Sequence, residues 1–243
     1  MKSKFFFLKK YSQIGIIIVA LFSTQIATAQ FAGGDGTSGN PYQVATASQL
    51  DSVHNYLNNY FIQTADIDLD IAAYNSGTGW IPIGDNTTKF TGKYDGNGYT
   101  VSGLFIDRSG TSYIGLFGFI GSGASVTNVG VLNADINGLY NVGVVVGRNE
   151  GVVSLSYSTG VVDGVIYVGG LVGDNKGTIE NSYSVATLES ANQFGGLAGN
   201  NEGTITNSYA AGKITAGGLS AGGLIGANTG TVTNSYWNTE SSG

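Results

Sequence analysis

The sequence predicts an all-β fold, a right-handed parallel β-solenoid of about six rungs with a short N-terminal capping helix. A glycine-rich sequence motif recurs every 26 to 27 residues. Apolar residues alternate with threonine, serine or glutamate within each repeat, which is the strand period, and no repeat has a helical pattern. A single repeat cannot bury its apolar residues, whereas stacked repeats can. The right-handed coil follows from the usual hand of strand crossovers.

Equivalent positions in successive repeats carry the same kind of residue, and we call each such set of positions a column. Two glycine columns are Gly147, Gly173, Gly199 and Gly226, then Gly151, Gly177, Gly203 and Gly230. An asparagine column lies between them at Asn149, Asn175, Asn201 and Asn228. Two aliphatic columns are Val153, Ile179, Ile205 and Val232, then Val162, Leu188 and Ile214. A tyrosine column lies at Tyr157, Tyr183, Tyr209 and Tyr236.

Each column should form a ladder along the solenoid axis, because hydrogen-bonded strands stack about 4.8 Å apart. We expect the aliphatic columns inside and the asparagines at a turn, where their amides can bond along the axis. The tyrosine column could face inward or lie on a wall. The alternation of inward and outward residues is interrupted near Asn181 and Ser182, so it does not show which way the tyrosine column faces.

Weaker copies of the repeat extend upstream. The stretches "YIGLFG" from Tyr113 and "ASVTNVGV" from Ala124 match the two halves of the repeat. "YTVSGLFI" from Tyr99 suggests one earlier rung, with Val101 in register with Val126. We therefore divide the chain into a signal peptide (1–29), a cap with the first rungs (30–112), and repeats that continue the same solenoid (113–243).

The N-terminal segment has the pattern of an export signal. Four lysines precede the short apolar run "IGIIIVALF" at 14–22, and Ala27-Thr28-Ala29 offers a small-residue cleavage site near Ala29. Removing those lysines leaves six basic against sixteen acidic residues, a net charge of −10. This charge argues against nucleic acid as a partner, and we expect no membrane span after cleavage. The chain has no cysteine.

The two ends of the predicted solenoid differ. Residues 46–59 predict an amphipathic helix over the first rung, because Thr46 and Gln49 form a capping-box pattern and Leu50, Val53 and Leu57 share one helical face. The C-terminal edge has no such cover, so we expect further chain or a partner to cover it.

Few residues are candidates for chemistry. His54 is the only histidine and is interpreted as a cap or surface residue. Asp66, Asp68 and Asp70 alternate with apolar residues, which indicates a half-buried strand; a Ca²⁺ site is the alternative, and no other cofactor is expected. "YDGNGYT" from Tyr94 favours a tight turn over a calcium loop. Thr-x-Thr pairs resemble those of ice-binding solenoids but are interrupted by Glu180.

The phrases "GGLVGDNKGTIENSY", "GGLAGNNEGTITNSY" and "GGLIGANTGTVTNSYWN" resemble the GLUG motif of bacterial surface proteins. Residues 140–166 depart from the motif, because Val144 replaces a glycine and Leu155 replaces an asparagine. The resemblance implies export and a repeat-built extracellular region, as in large adhesins and some immunoglobulin-A-cleaving metallopeptidases. The peptidase part has no counterpart here, so no catalytic residue is carried over.

These observations predict a non-catalytic secreted or cell-surface module for adhesion or display, which binds glycans or proteins through its lateral face. Outward positions that vary between rungs, such as Glu180, Thr206 and Thr233, should carry recognition. One alternative is a carbohydrate-active β-helix enzyme, although the acids are scattered and Arg108 and Arg148 are the only arginines. The other alternative is the N-terminal stalk of a longer surface protein.

Overall fold

The protein is described by a computed structural model, in which residues 30–190, 192–215 and 220–240 are described. The predicted signal peptide lies outside the described residues. Within them the fold is a parallel β-solenoid with 26 short strands, numbered in chain order, and one short helix near the N-terminus. The predicted fold class is thus confirmed.

The strands form four sheets, each of which is one wall of the coil. The wall that we call the threonine sheet has eight strands: β1 (Tyr42–Val44), β2 (Tyr60–Gln63), β4 (Lys93–Asp95), β8 (Ser125–Thr127), β12 (Val152–Ser154), β16 (Thr178–Glu180), β21 (Thr204–Thr206) and β25 (Thr231–Thr233). All its pairings are parallel and free of register shifts.

The second wall, the tyrosine sheet, has nine strands. Seven follow one another along the axis: β3 (Ile67–Asp68), β5 (Thr100–Ser102), β9 (Gly130–Asn137), β13 (Tyr157–Asp163), β17 (Tyr183–Ser184), β22 (Tyr209–Ala210) and β26 (Tyr236–Trp237). Two more lie beside them: β6 (Phe105–Asp107), which pairs with β9, and β18 (Thr187–Ser190), which pairs with β13. Its register shifts at Ser158/Gly160 and again at Val162/Asp163.

The third and fourth walls complete each turn. The third sheet contains β10 (Tyr140–Gly143), β14 (Ile166–Gly169), β19 (Gln193–Gly195) and β23 (Ser220–Gly222). The fourth contains β7 (Phe117–Ile120), β11 (Val146–Asn149), β15 (Val172–Asn175), β20 (Ala198–Asn201) and β24 (Ile225–Asn228). The number of stacked strands therefore ranges from five in the fourth sheet to eight in the threonine sheet. The predicted number of about six rungs lies within this range.

The core is a continuous stack of apolar side chains. On the threonine sheet one inward column runs through Tyr42, Phe61, Tyr94, Val126, Val153, Ile179, Ile205 and Val232. Both predicted aliphatic columns form ladders, and Val153, Ile179 and Ile205 are fully buried. The core changes from aromatic to aliphatic along the axis.

The register predicted for the earliest rung is wrong. Val101 pairs with Val131 on the tyrosine sheet, whereas Val126 pairs with Tyr94 on the threonine sheet. The turn at Asp95–Gly98, where Asn97 and Gly98 have positive φ, separates the two walls. An aromatic residue occupies the aliphatic column at this rung, so the repeat pattern could not locate it.

The predicted capping helix is present but shorter than predicted. The helix α1 (Ala47–Asp51) continues as a 3₁₀ turn (Ser52–Asn55) and ends at Tyr56, so residues 56–59 are not helical. Thr46 caps it by accepting from the Gln49 amide, whereas Gln49 Oε1 accepts from Ala45 N rather than from Thr46 N. Leu50 and Val53 are fully buried, as their pattern predicted.

The close approach of backbone in neighbouring rungs explains both glycine columns. A Cβ on Gly173 would lie 2.5 Å from the carbonyl carbon of Asn141 in the preceding rung. At the next corner a Cβ on Gly203 would lie 2.1 Å from the Gly177 carbonyl oxygen. Both distances are far below contact, so any side chain there would push rungs apart.

Candidate binding face

The predicted asparagine column forms a hydrogen-bonded ladder inside a corner. Asn149 donates to Asn175, Asn175 to Asn201 and Asn201 to Asn228, each with an Nδ2–Oδ1 distance of 2.7 Å. Asn149 Oδ1 also accepts from the Gly151 amide at 2.9 Å. The first three side chains are fully buried. These amides satisfy one another and the corner backbone, so their role is to hold rungs together rather than to bind a ligand.

A second corner carries a ladder of exposed asparagines. Asn181, Asn207 and Asn234 have φ near +50°, and so does Leu155, the exception noted in the sequence. Asn207 donates to Asn181 at 3.3 Å and Asn234 to Asn207 at 3.4 Å. Asparagine tolerates this left-handed conformation better than most residues, which explains why it recurs here. Its amides remain accessible to a ligand.

The serines that follow Asn181 and Asn207, Ser182 and Ser208, are buried. Ser182 Oγ accepts from the Ser156 amide at 3.1 Å, and Ser208 Oγ accepts from the Ser182 amide at 3.2 Å. Each hydroxyl also donates to the carbonyl two residues earlier, as Ser182 does to Glu180. Sequence reasoning missed this serine ladder, although the repeated Asn-Ser-Tyr triplet was its signal.

The tyrosine column lies on the outside of the solenoid. The sequence pattern had left open whether it faces inward or outward. The rings of Tyr157 and Tyr183 stack with centroids 5.1 Å apart, and those of Tyr183 and Tyr209 with centroids 4.9 Å apart. Exposure increases along the axis to 45% for Tyr209 and 67% for Tyr236. Partial burial raises the pKa of Tyr157 and of Tyr209, and the neighbouring Tyr183 contributes a smaller increase to both. The ladder begins at Tyr157 because its ring lies against Gly130.

We call these two exposed ladders together the Asn–Tyr wall, defined by Asn181, Asn207, Asn234, Tyr183, Tyr209 and Tyr236. In each rung the asparagine precedes the tyrosine by two residues. The wall contains no charged side chain and presents amides beside aromatic rings. These groups can bond hydroxyls and cover apolar faces of a ligand.

The outward columns of the threonine sheet form the neighbouring surface. Thr178 pairs with Thr204 and Thr204 with Thr231. In the other column Glu180 pairs with Thr206 and Thr206 with Thr233. The variable positions singled out in the sequence therefore face solvent around the corner from the Asn–Tyr wall.

A charged network crosses the fourth sheet, and sequence reasoning missed it. Arg148 lies 3.5 Å from Asp174 and 3.2 Å from Glu150, and Glu150 also pairs with Lys89 at 2.8 Å. Desolvation opposes ionisation of Glu150, but the Lys89 hydrogen bond and the charges of Lys89 and Arg148 lower its pKa overall. Asn200 completes the network by donating to Asp174 at 2.8 Å. These contacts join residue 89 to successive rungs, so the network is structural.

The three aspartates that suggested calcium are engaged separately. Asp66 accepts from the Thr100 amide at 2.8 Å, Asp68 from the Asp70 amide at 2.9 Å, and Asp70 from Asn75 at 2.8 Å. Only Ile67–Asp68 form a strand, and Ile71 is 43% exposed. Within residues 30–190, 192–215 and 220–240 no cluster of three acidic, histidine or cysteine side chains could hold a metal ion. Calcium binding stays a prediction.

His54 lies in the 3₁₀ turn of the cap, where it was expected. Its Nδ1 is 2.7 Å from the Asp51 carbonyl oxygen and its Nε2 is 3.2 Å from the Pro82 carbonyl oxygen. The side chain thereby links the cap to the segment that contains Trp80. The "YDGNGYT" segment forms a turn in which Asp95 accepts from the Asn97 amide.

Comparison with known proteins supports the repeat assignment. The family model for the GLUG motif matches residues 190–215. A provisionally named Gly-rich membrane protein of Evansella cellulosilytica is 41% identical over 154 residues, which cover 60% of this chain and 18% of that protein. Halomucin of Haloquadratum walsbyi is 38% identical over 136 residues, which cover 52% of this chain and 2% of halomucin. The chain thus spans less than a fifth of the length of either relative.

A solved structure shares the fold. The crystal structure of a provisionally named immunoglobulin A1 protease from Bacteroides ovatus superposes with a TM-score of 0.62 at 21% identity, covering 85% of this chain and 78% of that one. At this identity the likeness shows the fold alone. In the described part of this chain no helix is long and apolar enough to cross a membrane. The GLUG match and the ladders together confirm the resemblance read from the sequence: this chain is a β-solenoid that carries the GLUG motif.

Proposed function

We propose that this chain is a non-catalytic module of an exported surface protein and that it binds glycans through the Asn–Tyr wall. The observation that carries the proposal is the register of the wall: exposed amides and aromatic rings recur together, one pair to a rung. A glycan is also a repeating chain of hydroxyls and apolar ring faces. A rigid ladder can contact several sugar units at once without ordering loops, which reduces the entropic cost of binding.

The chemistry of the wall favours a neutral glycan over a charged one. Amides donate to and accept from hydroxyls, and tyrosines offer both apolar area and a polar tip. Beside the wall, the exposed Val185 adds apolar surface. The strongly acidic balance of the chain disfavours acidic polysaccharides.

Two further observations support a surface location and a non-catalytic role. One relative is named a Gly-rich membrane protein and another halomucin, and the N-terminal segment has an export pattern. Several described carboxylates are engaged in structural hydrogen bonds, as Asp66 is with Thr100 and Asp174 with Asn200. A glycosidase would need a pair of carboxyl groups that faces the bound sugar.

The purified protein should be screened against a glycan array and the hits titrated by calorimetry. We expect binding of neutral glycans, and at least about tenfold weaker binding for the double variant Asn207→Gly, Tyr209→Ala. Glycine keeps the left-handed backbone at 207, so the change removes the amide rather than the fold. Thermal unfolding followed by circular dichroism checks that the variant is folded.

The matched control is Thr204→Ala, Thr231→Ala, which alters exposed residues on the neighbouring threonine sheet. Its affinity should equal that of the unaltered protein. Binding of proteins alone, with no glycan retained, would contradict the proposed ligand. An equal loss in the control would contradict the proposed wall. Release of new reducing ends from a bound glycan would contradict a non-catalytic role.

A further inference from the structure

A cleft of about 380 Å³ opens on the tyrosine sheet, among its first three strands. Residues of three successive rungs line it: Asp68 and Asp70, then Ser102–Phe105, then Asn133 and Asp135. Ligand sites in proteins commonly enclose about 300–1,000 Å³, and this cleft lies at the lower end of that range. Its size therefore suits a small molecule or one end of a larger one.

The backbone keeps this space clear of side chains. Gly103 and Asn133 both have left-handed backbone, with φ of +67° and +54°, so the chain turns at the same place in two neighbouring rungs. A Cβ on Gly103 would lie only 2.7 Å from the Cβ of Asp70. Glycine at this turn therefore lets the neighbouring rungs approach while the cleft stays open.

The carboxylates around the cleft keep free acceptor oxygens. Asp68 Oδ1 accepts from the Asp70 amide at 2.9 Å, and Asp70 Oδ1 accepts from Asn75 Nδ2 at 2.8 Å, so each of these aspartates uses one oxygen. Within the part of the chain that the structure describes, the exposed carboxylate of Asp135 takes part in no hydrogen bond or ion pair. The cleft thus presents acceptors that no cation of the described chain neutralises.

The charge of the whole sheet has the same sign. The described strands of the tyrosine sheet contain no lysine or arginine, and their acidic residues are Asp68, Asp107, Asp135, Asp163 and Glu189. Arg108 follows β6, but its guanidinium donates to the carbonyl oxygens of Gly79 and Trp80. A cleft lined by one sign of charge concentrates ligands of the opposite sign. This cleft should therefore attract a cation and repel an anion.

The other lining groups favour an organic cation over a metal ion. Among residues 30–190, 192–215 and 220–240 no three acidic side chains lie close enough together to hold a metal ion. The half-buried ring of Phe105 can pack against the apolar face of a ligand ring or against an ammonium group. Ser102 and Asn133 can exchange hydrogen bonds with hydroxyls. A hydroxylated ring that carries a protonated amine matches all three kinds of group.

We propose that this cleft, which we call the aspartate cleft, binds an amino sugar whose protonated amine pairs with the carboxylates and whose ring packs on Phe105. Charge-assisted hydrogen bonds of this kind are about twice as strong as neutral ones. The aspartate cleft and the Asn–Tyr wall share no residue. Binding in the cleft is therefore a second activity that does not depend on glycan binding by the wall.

Titration of the purified protein with glucosamine, N-acetylglucosamine and spermidine tests this proposal, by calorimetry at low salt and about pH 6, where the amines are protonated. Ligand concentrations up to about 20 mM cover millimolar dissociation constants. We expect glucosamine to bind at least about tenfold more tightly than N-acetylglucosamine, because acetylation removes the charge. Spermidine carries charge without a sugar ring and should bind more weakly than glucosamine.

The variant Asp135→Asn keeps the shape of the side chain and should weaken glucosamine binding at least about fivefold. The matched control is Glu189→Gln, which removes the same charge from an exposed position of the same sheet, two rungs away, and should bind as the unaltered protein does. Circular dichroism shows whether both variants fold.

Four results would overturn the proposal: no binding of glucosamine, equal binding of glucosamine and N-acetylglucosamine, spermidine binding as tight as that of glucosamine, or equal weakening in both variants. The wall variant Asn207→Gly, Tyr209→Ala should bind glucosamine normally, and a loss there would move the site to the wall. The two proposals can thus fail separately.

Discussion

The first rung and the last described rung of the solenoid differ in which residues cover them. At the N-terminal end, residues that belong to no repeat contribute to both the strand edge and the core: an antiparallel segment pairs with β1, and Leu50 and Val53 are fully buried in the same core as Phe61. At the C-terminal end the columns continue unchanged to the last described rung, and Val232 and Asn228 lie open. The repeat therefore specifies stacking but does not stop it, and termination needs residues of another kind.

The largest expected difference between the ends is in apolar burial. Leu50→Ala should lower the free energy of unfolding by about 2–5 kcal/mol, because the side chain is fully buried and the cavity cannot be filled. Val232→Ala should lower it by less than about 1 kcal/mol, since that side chain is partly in water. Urea unfolding at low protein concentration measures both. Equal losses of unfolding free energy in the two variants would contradict the proposed difference between the two ends.

The amide ladder should show the same contrast at a smaller scale. Asn175→Ala removes one of the two acceptors of Asn149, whose Nδ2 also donates to Thr178 O, and leaves Asn201 Oδ1 without its donor in a buried corner, which should cost about 2–3 kcal/mol. Asn228→Ala removes one partner from Asn201 at an open edge where water can replace it, so we expect less than about 1 kcal/mol. The same unfolding experiment applies, and a larger loss at Asn228 than at Asn175 would be inconsistent with an open end.

An interior rung offers a change that should stabilise the fold without touching either end. Leu155 has φ +51° and a 55% exposed side chain, where the other rungs have asparagine. Leu155→Asn should raise the free energy of unfolding by about 1 kcal/mol, because asparagine adopts this conformation at lower cost. The reverse change, Asn181→Leu, should lower it. A melting temperature that falls in Leu155→Asn would show that this rung is held by other contacts.

The smallest expected effect concerns pH. The pKa of Glu150 is lowered below its usual 4.5, so its ion pairs contribute stability that is present at neutral pH. That contribution is lost as the pH falls below about 4.5 and through the lower folded-state value. We expect less than about 1 kcal/mol for this partly exposed cluster. Glu150→Gln should flatten this part of the stability–pH curve, and an unchanged curve would contradict the role assigned to the network.

Much of the fold could be predicted because the columns repeat. A spacing of 26 residues between Asn149 and Asn175 and between Ile179 and Ile205 requires one strand to lie over the next. The first rungs could not be aligned in this way, since Tyr94 occupies a column that holds Val126 in the next rung. The cap was found from its pattern, but its length was overestimated because Leu57 continues the apolar spacing after the helix has ended at Tyr56.

The candidate site was only partly predictable. The tyrosine column was recognised, but its outward direction depends on the left-handed corner at Asn181, which changes the direction of the chain between two strands. A backbone angle of this kind does not appear in hydrophobic alternation. The Arg148–Asp174 pair joins residues 26 apart that share no residue type, so no column marked it.

Hydrogen exchange followed by mass spectrometry tests most directly the claim that residues outside the repeat cover the first rung, whereas no described residue covers the last described rung. We predict that amides in 42–63 exchange more slowly than those in 220–237. Equal exchange of the two segments, or slower exchange of 220–237, would contradict this account.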